Sequence, residues 1–294
     1  MRYDEIELQS ADAKQLFVRR YSAIDATGTE TSPRTLMIVH GASEHGERYD
    51  HVARWFVKRG WSVVVLDLRG HGRSGGVPTH VRHFRQYVAD LQLVQEHFEL
   101  APERTAILGH SMGGLISVRF AQRHPDKLAA IVLMAPLLGI KVAIPRTTIA
   151  VGRIMSIVAP RTRFRSRIDP SDTTRNTEAL AQRADDPLVE RSVTARWFFA
   201  MRTALRTAWR DANLIQTPLL VMQGQEDRIV DPDAVQPWLE TLGTDDCSIH
   251  YLPDNLHELH NEPDWQATMT HVVQWLDERV KVGEESAIAG QTPT

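Results

Sequence analysis

The sequence is poor in several features that mark particular classes of protein. Cys247 is the one cysteine among 294 residues, so no intramolecular disulfide can form, which fits a reducing compartment. The first twelve residues (MRYDEIELQSAD) are charged from the start and lack the apolar segment of a signal peptide. The longest apolar run, residues 128–140, is too short to span a bilayer and is interrupted by Pro136 and Gly139. These absences predict a soluble, cytoplasmic protein.

The net charge of the chain is also small, but the charged residues are unevenly distributed along it. The net charge of -3 and the pI near 6.5 give no indication of nucleic-acid binding. Residues 137–210, in contrast, contain fourteen Lys/Arg against six Asp/Glu and show no clear strand pattern. We therefore expect a core formed by residues 1–136 and 211–280, with residues 137–210 inserted as a cap or lid. Residues 281–294 lack periodicity and are predicted to form a disordered tail.

What the sequence does contain is a regular alternation of apolar strands and helical segments. A hydrophobic content of 42% is enough to bury a large core. Continuous apolar strands separated by helices are typical of a parallel sheet that is covered on both faces. The pattern therefore predicts an α/β fold with a mostly parallel central sheet, preceded by an antiparallel hairpin. The clearest central strands are residues 36–39 (LMIV), 61–66 (WSVVVL), 105–108 (TAIL), 129–134 (AIVLM with its preceding Ala) and 218–222 (PLLVM).

Residues 108–114 (LGHSMGG) place Ser111 between a predicted strand and a predicted helix. A serine on such a sharp turn takes up a strained backbone that exposes its hydroxyl group. The next N–H then lies at a helix N-terminus, where it can stabilise an anion. The same segment also fits an ordinary strand–turn–helix connection. Ser111 is a candidate nucleophile only if a base and an orienting acid accompany it.

Two loops later in the chain can supply these groups. Residues 223–230 (QGQEDRIV) follow a predicted strand, and residues 254–260 (DNLHELH) follow the last one. Sites in open α/β sheets lie at the carboxyl ends of strands, so both loops and Ser111 are expected at the same edge. The order of serine, acid and histidine along the chain is also the expected one.

The choice within each loop has alternatives. Asp231 and Asp233 compete with Asp227 for the role of acid, although Asp231 fits the N-cap of the following helix. His257 and His260 invite comparison with a zinc site. They are three residues apart in a loop, however, whereas the zinc motif needs histidines four apart on a helix. No metal site is predicted.

With these segments in place, the chain resembles the α/β-hydrolase superfamily and, within it, the monoacylglycerol lipase and lysophospholipase-like group. The resemblance extends from about residue 5 to residue 280 and implies the α/β-hydrolase fold. The motifs that carry it are residues 40–45 (HGASEH) with Arg48 and Tyr49, 67–75 (DLRGHGRSG), 109–114 (GHSMGG), 224–230 (GQEDRIV) and 256–260 (LHELH).

The resemblance implies a role for each of five residues. They are Ser111 as nucleophile, Asp227 as acid, His257 as base, and the backbone N–H groups of Ala42 and Met112 as the oxyanion hole. It implies no cofactor. The chain departs from the family at Ser43, where glycine is common, and in the cap, which matches poorly apart from residues 185–188 (DDPL).

The function implied is that of a serine hydrolase that cleaves carboxylic esters of single-chain lipids, monoacylglycerol or lysophospholipid, through an acyl-enzyme. One alternative is a carboxylesterase or aminopeptidase-like hydrolase that acts on small, non-lipid acyl compounds. Another is a non-catalytic homologue that binds a ligand. The substrate-binding residues and the oligomeric state are not assigned.

Two parts of the cap, an arginine-rich segment and a group of apolar residues, each have two possible interpretations. The arginine-rich residues 161–167 (RTRFRSR) either contact an anionic membrane surface transiently or form a solvated loop whose arginines pair with the acidic core. Six apolar residues either line an acyl tunnel or pack within the cap itself. These six are Ile149, Val151, Ile154, Met155, Ile157 and Val158.

Overall fold

An eight-stranded sheet forms the centre of the computed structural model, which describes residues 1–32 and 34–281. The strand order is β1-β2-β4-β3-β5-β6-β9-β10. The β1–β2 and β2–β4 pairs are antiparallel, and the other five pairs are parallel. The strands are β1 (Arg2–Gln9), β2 (Gln15–Ser22), β3 (Thr35–Val39), β4 (Ser62–Leu66), β5 (Thr105–His110), β6 (Ala130–Met134), β7 (Arg163–Arg165), β8 (Ser192–Thr194), β9 (Leu219–Gly224) and β10 (Cys247–Leu252). The predicted hairpin and mostly parallel sheet are confirmed.

Helices cover both faces of this sheet. They are α1 (Asp50–Val57), α2 (Arg85–His97), α3 (Met112–Arg123), α4 (Arg146–Val158), α5 (Thr177–Asp185), α6 (Ala195–Arg210), α7 (Val235–Leu239) and α8 (Trp265–Asp277). Alternate side chains of each strand enter different cores: Met37 of β3 packs with α2 and α3, whereas Leu36 packs with α1 and α8. Burial on both faces explains why the central strands are apolar throughout.

The chain leaves the central sheet after β6 and returns to it at β9, and α4, α5 and α6 lie in between. This intervening segment also contains β7 and β8, which pair antiparallel with Phe164 opposite Val193. The expectation that residues 137–210 contain no strand was therefore wrong. Each strand is only three residues long, too short for the alternating pattern by which strands are recognised in a sequence. Of the predicted tail, residues 282–294 lie outside the described residues.

Across residues 1–32 and 34–281, no helix is both long and apolar enough to cross a bilayer.

Candidate active site

Ser111 lies in the turn between β5 and α3 with φ of 52° and ψ of -116°. This left-handed conformation is costly for a residue with a side chain, and it persists only where neighbouring bonds enforce it. Here the Ser111 N–H donates to the carbonyl of Met134 at 3.0 Å, and the Ser111 carbonyl accepts from the N–H of Leu137 at 3.0 Å. Both partners belong to the end of the neighbouring strand and the residues after it, so the sheet itself holds the strained turn.

The glycines on either side of Ser111 allow two close approaches of the backbone. A Cβ atom on Gly113 would lie 2.0 Å from the carbonyl oxygen of Val39, and one on Gly109 would lie 2.5 Å from that of Gly113. No side chain fits at such distances. The two glycines are therefore required for α3 to start directly beside β3 and β5, which places Ser111 at the carboxyl edge of the sheet.

Asp227 and His257 form a buried pair on the loops that follow β9 and β10. The Nδ1 atom of His257 lies 2.7 Å from Oδ2 of Asp227. The other oxygen, Oδ1, accepts from the N–H groups of Ile229 at 2.8 Å and Val230 at 3.0 Å. Asp227 is fully buried and His257 is 5% exposed. Both oxygens of this carboxylate are thus held by hydrogen bonds, which fixes the orientation of the imidazole.

The electrostatics of this pair favour a carboxylate beside a basic imidazole. Burial by itself raises the pKa of Asp227, but the charge of His257 and its hydrogen bonds outweigh burial and hold that pKa below its ordinary value. Burial by itself lowers the pKa of His257, and Asp227 reverses this effect, so that the His257 pKa lies above the ordinary 6.5. The geometry thus increases the affinity of His257 for a proton.

The Ser111 turn and the His257 loop meet through His110. Its Nε2 atom lies 3.2 Å from the carbonyl oxygen of His257, and the two imidazole rings are 4.8 Å apart between centroids. Among the described residues, no hydrogen bond joins the Ser111 hydroxyl to His257. Such bonds are often long in enzymes without substrate and shorten only when substrate binds. The structure thus brings Ser111, Asp227 and His257 to one edge of the sheet, and their catalytic roles stay predictions.

The competing acids bond elsewhere. The Asp231 side chain accepts from the N–H of Asp233 at 3.2 Å, in the helix-cap position expected from the sequence. Asp233 itself is exposed, and Glu226 pairs with Arg175 at 2.8 Å. Asp227 is therefore the acid of this loop that faces His257 in the described structure.

The loop after β3 lies beside the Ser111 turn, so Ala42 and Met112 line the same cavity as Ser111. Within the described residues, neither of their N–H groups donates to another loop or side-chain acceptor. Both are available to a ligand in that cavity. Ser43 follows Ala42 with a φ of 64°, the conformation in which glycine is favoured.

Glu44 holds this loop in place, a role that sequence reasoning missed although the residue lies within the HGASEH motif. Its Oε1 atom accepts from the N–H of Gly41 at 2.5 Å and from the Tyr49 hydroxyl at 2.9 Å, and lies 3.0 Å from His110 Nδ1. Burial raises the Glu44 pKa, but the hydrogen bond with His110 and the interactions with His110, His260 and Arg48 outweigh burial and hold that pKa well below its ordinary value. A buried carboxylate thus connects the predicted oxyanion loop to the turn that carries Ser111.

His260 lies against the same group. Its ring stacks on Tyr49 with 4.2 Å between centroids, and it is fully buried. Glu44, His110 and His260 have ligand-type atoms within 4.8 Å of one another, so these residue types could in principle hold a metal. Glu44 and His110 already form hydrogen bonds that hold the neighbouring loops in place, so a structural role accounts for two of these three residues. In contrast to His257, His260 forms no hydrogen bond with Asp227 within the described chain.

A cavity of about 190 Å³ opens above Ser111. Its walls are mostly apolar, and most of them come from the segment after β6 and from the first half of α6. Apart from Ile149, these wall residues were not identified from the sequence. The main apolar contributors are Leu137, Ile140, Val142, Ile144, Ile149, Trp197, Phe198, Phe199 and Met201. The signal in the sequence for this cavity-lining role is the aromatic cluster at residues 197–199.

The expectation for α4 was largely wrong. Of its six apolar residues proposed as tunnel or packing residues, only Ile149 lines the cavity. Four others are exposed to solvent, because they lie on faces of α4 that point away from the cavity. Their exposed fractions are 53% for Val151, 61% for Ile154, 71% for Ile157 and 69% for Val158.

The inserted segment also bonds directly to the loops of the predicted site. The carbonyl of Thr173 accepts from the N–H of His257 at 3.1 Å and from that of Glu258 at 2.7 Å. Asp186, in the DDPL motif, lies 2.7 Å from Nε2 of His45 in the predicted oxyanion loop. Sequence reasoning noted the DDPL motif but gave it no role. The segment between β6 and β9 therefore helps to position both loops.

Within the described part of the chain, the arginines of residues 161–167 form no ion pair with the acidic core. Arg163 pairs with Glu190 and bonds to Ser192, both within the inserted segment. Arg165 and Arg167 contribute to the wall of the active-site cavity.

Comparison with known proteins decides the family. The family described as "Serine aminopeptidase, S33" matches residues 31–264. The chain belongs to this family of hydrolases. It is 29% identical to the monoacylglycerol lipase of Mycolicibacterium smegmatis over 86% of this chain and 91% of that protein. It is 30% identical to the monoglyceride lipase of Mus musculus over 93% and 90%, respectively.

A solved structure supports the same conclusion. The crystal structure of the Paleococcus ferrophilus monoacylglycerol lipase superposes with a TM-score of 0.80 at 25% identity, and the match covers 89% of this chain and 98% of that one. The predicted α/β-hydrolase fold and the resemblance to the monoacylglycerol lipase group are therefore confirmed.

Proposed function

We propose that this hydrolase cleaves carboxylic esters of single-chain lipids, such as monoacylglycerols or lysophospholipids, through an acyl-enzyme. Carboxylic ester hydrolysis is the reaction class of its lipase relatives. The proposal of a single-chain lipid substrate and an acyl-enzyme is based on the apolar cavity with Ser111 in its wall, next to the buried Asp227–His257 pair. An apolar wall favours an acyl chain, and the adjacent polar groups favour attack on its carbonyl carbon.

In the proposed reaction, His257 removes the hydroxyl proton of Ser111, and the serine oxygen attacks the ester carbonyl carbon. The N–H groups of Ala42 and Met112 stabilise the negative oxygen of the tetrahedral intermediate. Its collapse breaks the bond to the alcohol, which leaves with the proton held by His257. Water then attacks the acyl-enzyme with His257 again as base, which releases the fatty acid and restores Ser111. Asp227 stabilises the imidazolium in both halves.

The charge of the cavity wall disfavours an aminopeptidase activity. A peptidase that recognises a free N-terminus needs a negatively charged group to bind the ammonium. No acidic side chain lines the cavity in the described part of the chain, whereas Arg165 and Arg167 do. Like charges would repel an N-terminal amine.

One observation favours the second candidate, a carboxylesterase for small acyl compounds. The cavity volume of about 190 Å³ is below the range of roughly 300–1,000 Å³ that is common for sites of drug-sized ligands. A slot of this size limits how much of a chain is covered. The two candidates differ in the chain length at which catalytic efficiency is highest.

The test is kcat/KM for a series of monomeric esters from acetate upward, each below its micelle concentration. If the cavity accepts the acyl chain, each added methylene contributes about 0.8 kcal/mol, or about fourfold in kcat/KM, until the slot is full. A maximum at acetate or butyrate would support the small-ester carboxylesterase instead. Triacylglycerols should be poor substrates, since one covered slot cannot accept three chains.

A pair of variants on α4 provides the matched control. Ile149→Phe enlarges a side chain in the cavity wall and should move the optimum to shorter esters. Val151→Phe makes a similar change at a position of the same helix that is 53% exposed, and should leave the optimum unchanged. If Ile149→Phe leaves the optimal ester length unchanged, the acyl chain binds elsewhere.

We also propose that the inserted segment contacts a membrane surface transiently. The exposed apolar residues of α4 support this proposal, because exposed apolar groups gathered on one element often mark an interaction surface. Ile154→Asp should then lower the fraction of protein that floats with lipid vesicles, without a change in turnover of a short, monomeric ester.

A further inference from the structure

A second cavity, of about 420 Å³, lies between α2, α3, α4 and α6. Six of its lining residues are arginines, and no acidic residue of the described chain lines it. The arginines are Arg82, Arg85, Arg119, Arg123, Arg153 and Arg196. We call this set the arginine cavity. Phe199 lines both the arginine cavity and the cavity above Ser111, so the two cavities adjoin at this residue.

The charges of the arginine cavity are mostly uncompensated. Within residues 1–32 and 34–281, only Arg119 has an acidic partner, Asp211, at a distance of 3.4 Å. The Nε atom of Arg196 donates to the carbonyl of Arg82 at 2.9 Å, which neutralises no charge. Arg153 lies over the Phe199 ring, with 5.5 Å from the guanidinium carbon to the ring centroid. The other guanidinium groups have no carboxylate within ion-pair distance in the described structure.

Nearby titratable groups respond to this concentration of positive charge. Burial lowers the pKa of His83, and the charges of Arg85, Arg196 and Arg82 lower it further. Burial also lowers the pKa of Arg119, and Arg123 adds to the effect even though Asp211 opposes it. A protonated His83 or a second cation is therefore disfavoured here, while an anion would be stabilised.

The arrangement differs from an arginine-rich solvated face of one helix. Arg85 begins α2, Arg123 ends α3, Arg153 lies in the middle of α4, and Arg196 lies at the start of α6. Arginines from four separate elements thus line one half-open cavity. Guanidinium groups bind phosphate through two parallel hydrogen bonds, which makes such a convergence suited to a tetrahedral dianion.

We propose that the arginine cavity is a binding site for a phosphate ester. The ligand is either a soluble phosphate compound or the headgroup of an anionic phospholipid. One observation favours the headgroup: Ile157 lines the cavity and is itself 71% exposed, with the exposed Val158 next to it in the chain. An apolar border beside a phosphate site matches the order of chemical groups at a bilayer surface. This proposal does not depend on the reaction at Ser111.

The experiment compares two double variants that remove the same charge. Arg123→Gln/Arg153→Gln changes two exposed residues that line the cavity. Arg202→Gln/Arg206→Gln changes two exposed residues of α6 that do not line it. Glycerol 3-phosphate binding is measured by titration calorimetry, and lipid binding by flotation with phosphatidylcholine vesicles that contain phosphatidic acid. Pure phosphatidylcholine vesicles give the background.

The wild type and the Arg202/Arg206 variant should bind alike, and the Arg123/Arg153 variant should bind at least about tenfold more weakly, because charge-assisted hydrogen bonds are lost. The loss of glycerol 3-phosphate binding would identify a site for soluble phosphate esters. The loss of vesicle binding alone would identify a headgroup site. In both cases the affinity should fall as the salt concentration rises.

Two results would overturn the proposal: no binding of either probe by the wild type, or equal weakening in both double variants, which would reflect overall charge. Melting temperatures and turnover of a short ester should be the same in all three proteins. If the Arg123/Arg153 variant fails to fold, Arg85→Gln/Arg123→Gln tests the same cavity at two exposed positions.

Discussion

The Nδ1 atom of His257 lies 2.7 Å from Oδ2 of Asp227, although 30 residues separate them in the chain. Parallel pairing of β9 and β10 produces this contact, because Gly224 and Leu252 are partners in the register and the loop after each strand starts at the same edge. The Ser111 turn leaves the sheet at that edge too.

Removal of the Ser111 hydroxyl tests the nucleophile. Ser111→Ala should lower ester turnover by about 10⁴ or more, since no other group can form the acyl-enzyme. The hydroxyl contributes nothing to the hydrophobic core, so the melting temperature should hardly change. Turnover is measured on purified, folded protein. Near-normal rates would show that Ser111 is only a turn residue.

The two histidines of the last loop should respond in opposite ways. His257→Ala should abolish turnover to about the same extent as Ser111→Ala, because both remove members of one unit. His260 is fully buried and stacks on Tyr49, so His260→Ala should lower the free energy of unfolding by about 2 kcal/mol through the cavity it leaves. Turnover and denaturant unfolding are measured on both variants. An essential His260 and a dispensable His257 would contradict the assignment.

The pH dependence of kcat/KM tests the Asp227–His257 pair. His257 acts as a base only when neutral, and Asp227 holds its pKa above the ordinary value of 6.5. Activity should therefore be lost as the pH falls through that raised pKa. Asp227→Asn removes the charge that raises it, so burial dominates and the acid limb of the profile should move to lower pH, with a much lower maximum rate.

A profile whose acid limb stays at the same pH in Asp227→Asn would show that another group controls it. Glu226→Gln is the matched control, since Glu226 is adjacent in sequence but pairs with Arg175 instead. Its profile should match that of the wild type.

The core of the fold could be predicted because its signals are local. Each central strand is apolar on both faces, and Ser111 sits between glycines that only a close strand–helix turn requires. The order of the three loops along the chain then placed candidate acids and histidines at the same edge, by the general rule for open α/β sheets. The choice of Asp227 and His257 among them came from the resemblance to the α/β-hydrolase superfamily.

The inserted segment could not be predicted in the same way, because its contacts join residues far apart in the chain. The bond from Thr173 to the His257 loop uses a backbone carbonyl, which leaves no trace in the sequence. The sequence of α4 does not indicate which of its apolar residues are buried, and most of them are exposed. The arginine cavity gathers residues from Arg82 to Arg196, and no window of sequence reveals that they converge.

Ser43 allows a test of the strain in the predicted oxyanion loop. Its φ of 64° suits glycine, and the Ser43 carbonyl also accepts from the N–H of Glu190 at 3.1 Å. Ser43→Gly relieves strain but gives the unfolded chain more freedom, and each effect is worth about 1 kcal/mol. The free energy of unfolding should therefore change little, and the space beside the Ala42 N–H should widen. Bulky acyl groups should gain in kcat/KM relative to acetate.

Ser43→Val provides the opposite change at the same position. A β-branched residue with positive φ is strongly disfavoured, by about 1–3 kcal/mol, so the loop should either shift or destabilise the fold. A shift would displace the Ala42 N–H, which lines the cavity with Ser111, and turnover should fall even for acetate. Denaturant unfolding and kcat/KM are measured for both variants. If Ser43→Val is as stable as Ser43→Gly, the loop has shifted, and equal kinetics of the two variants would then mean that the backbone of this loop takes no part in stabilising the oxyanion. The assignment of Ala42 would have to be abandoned.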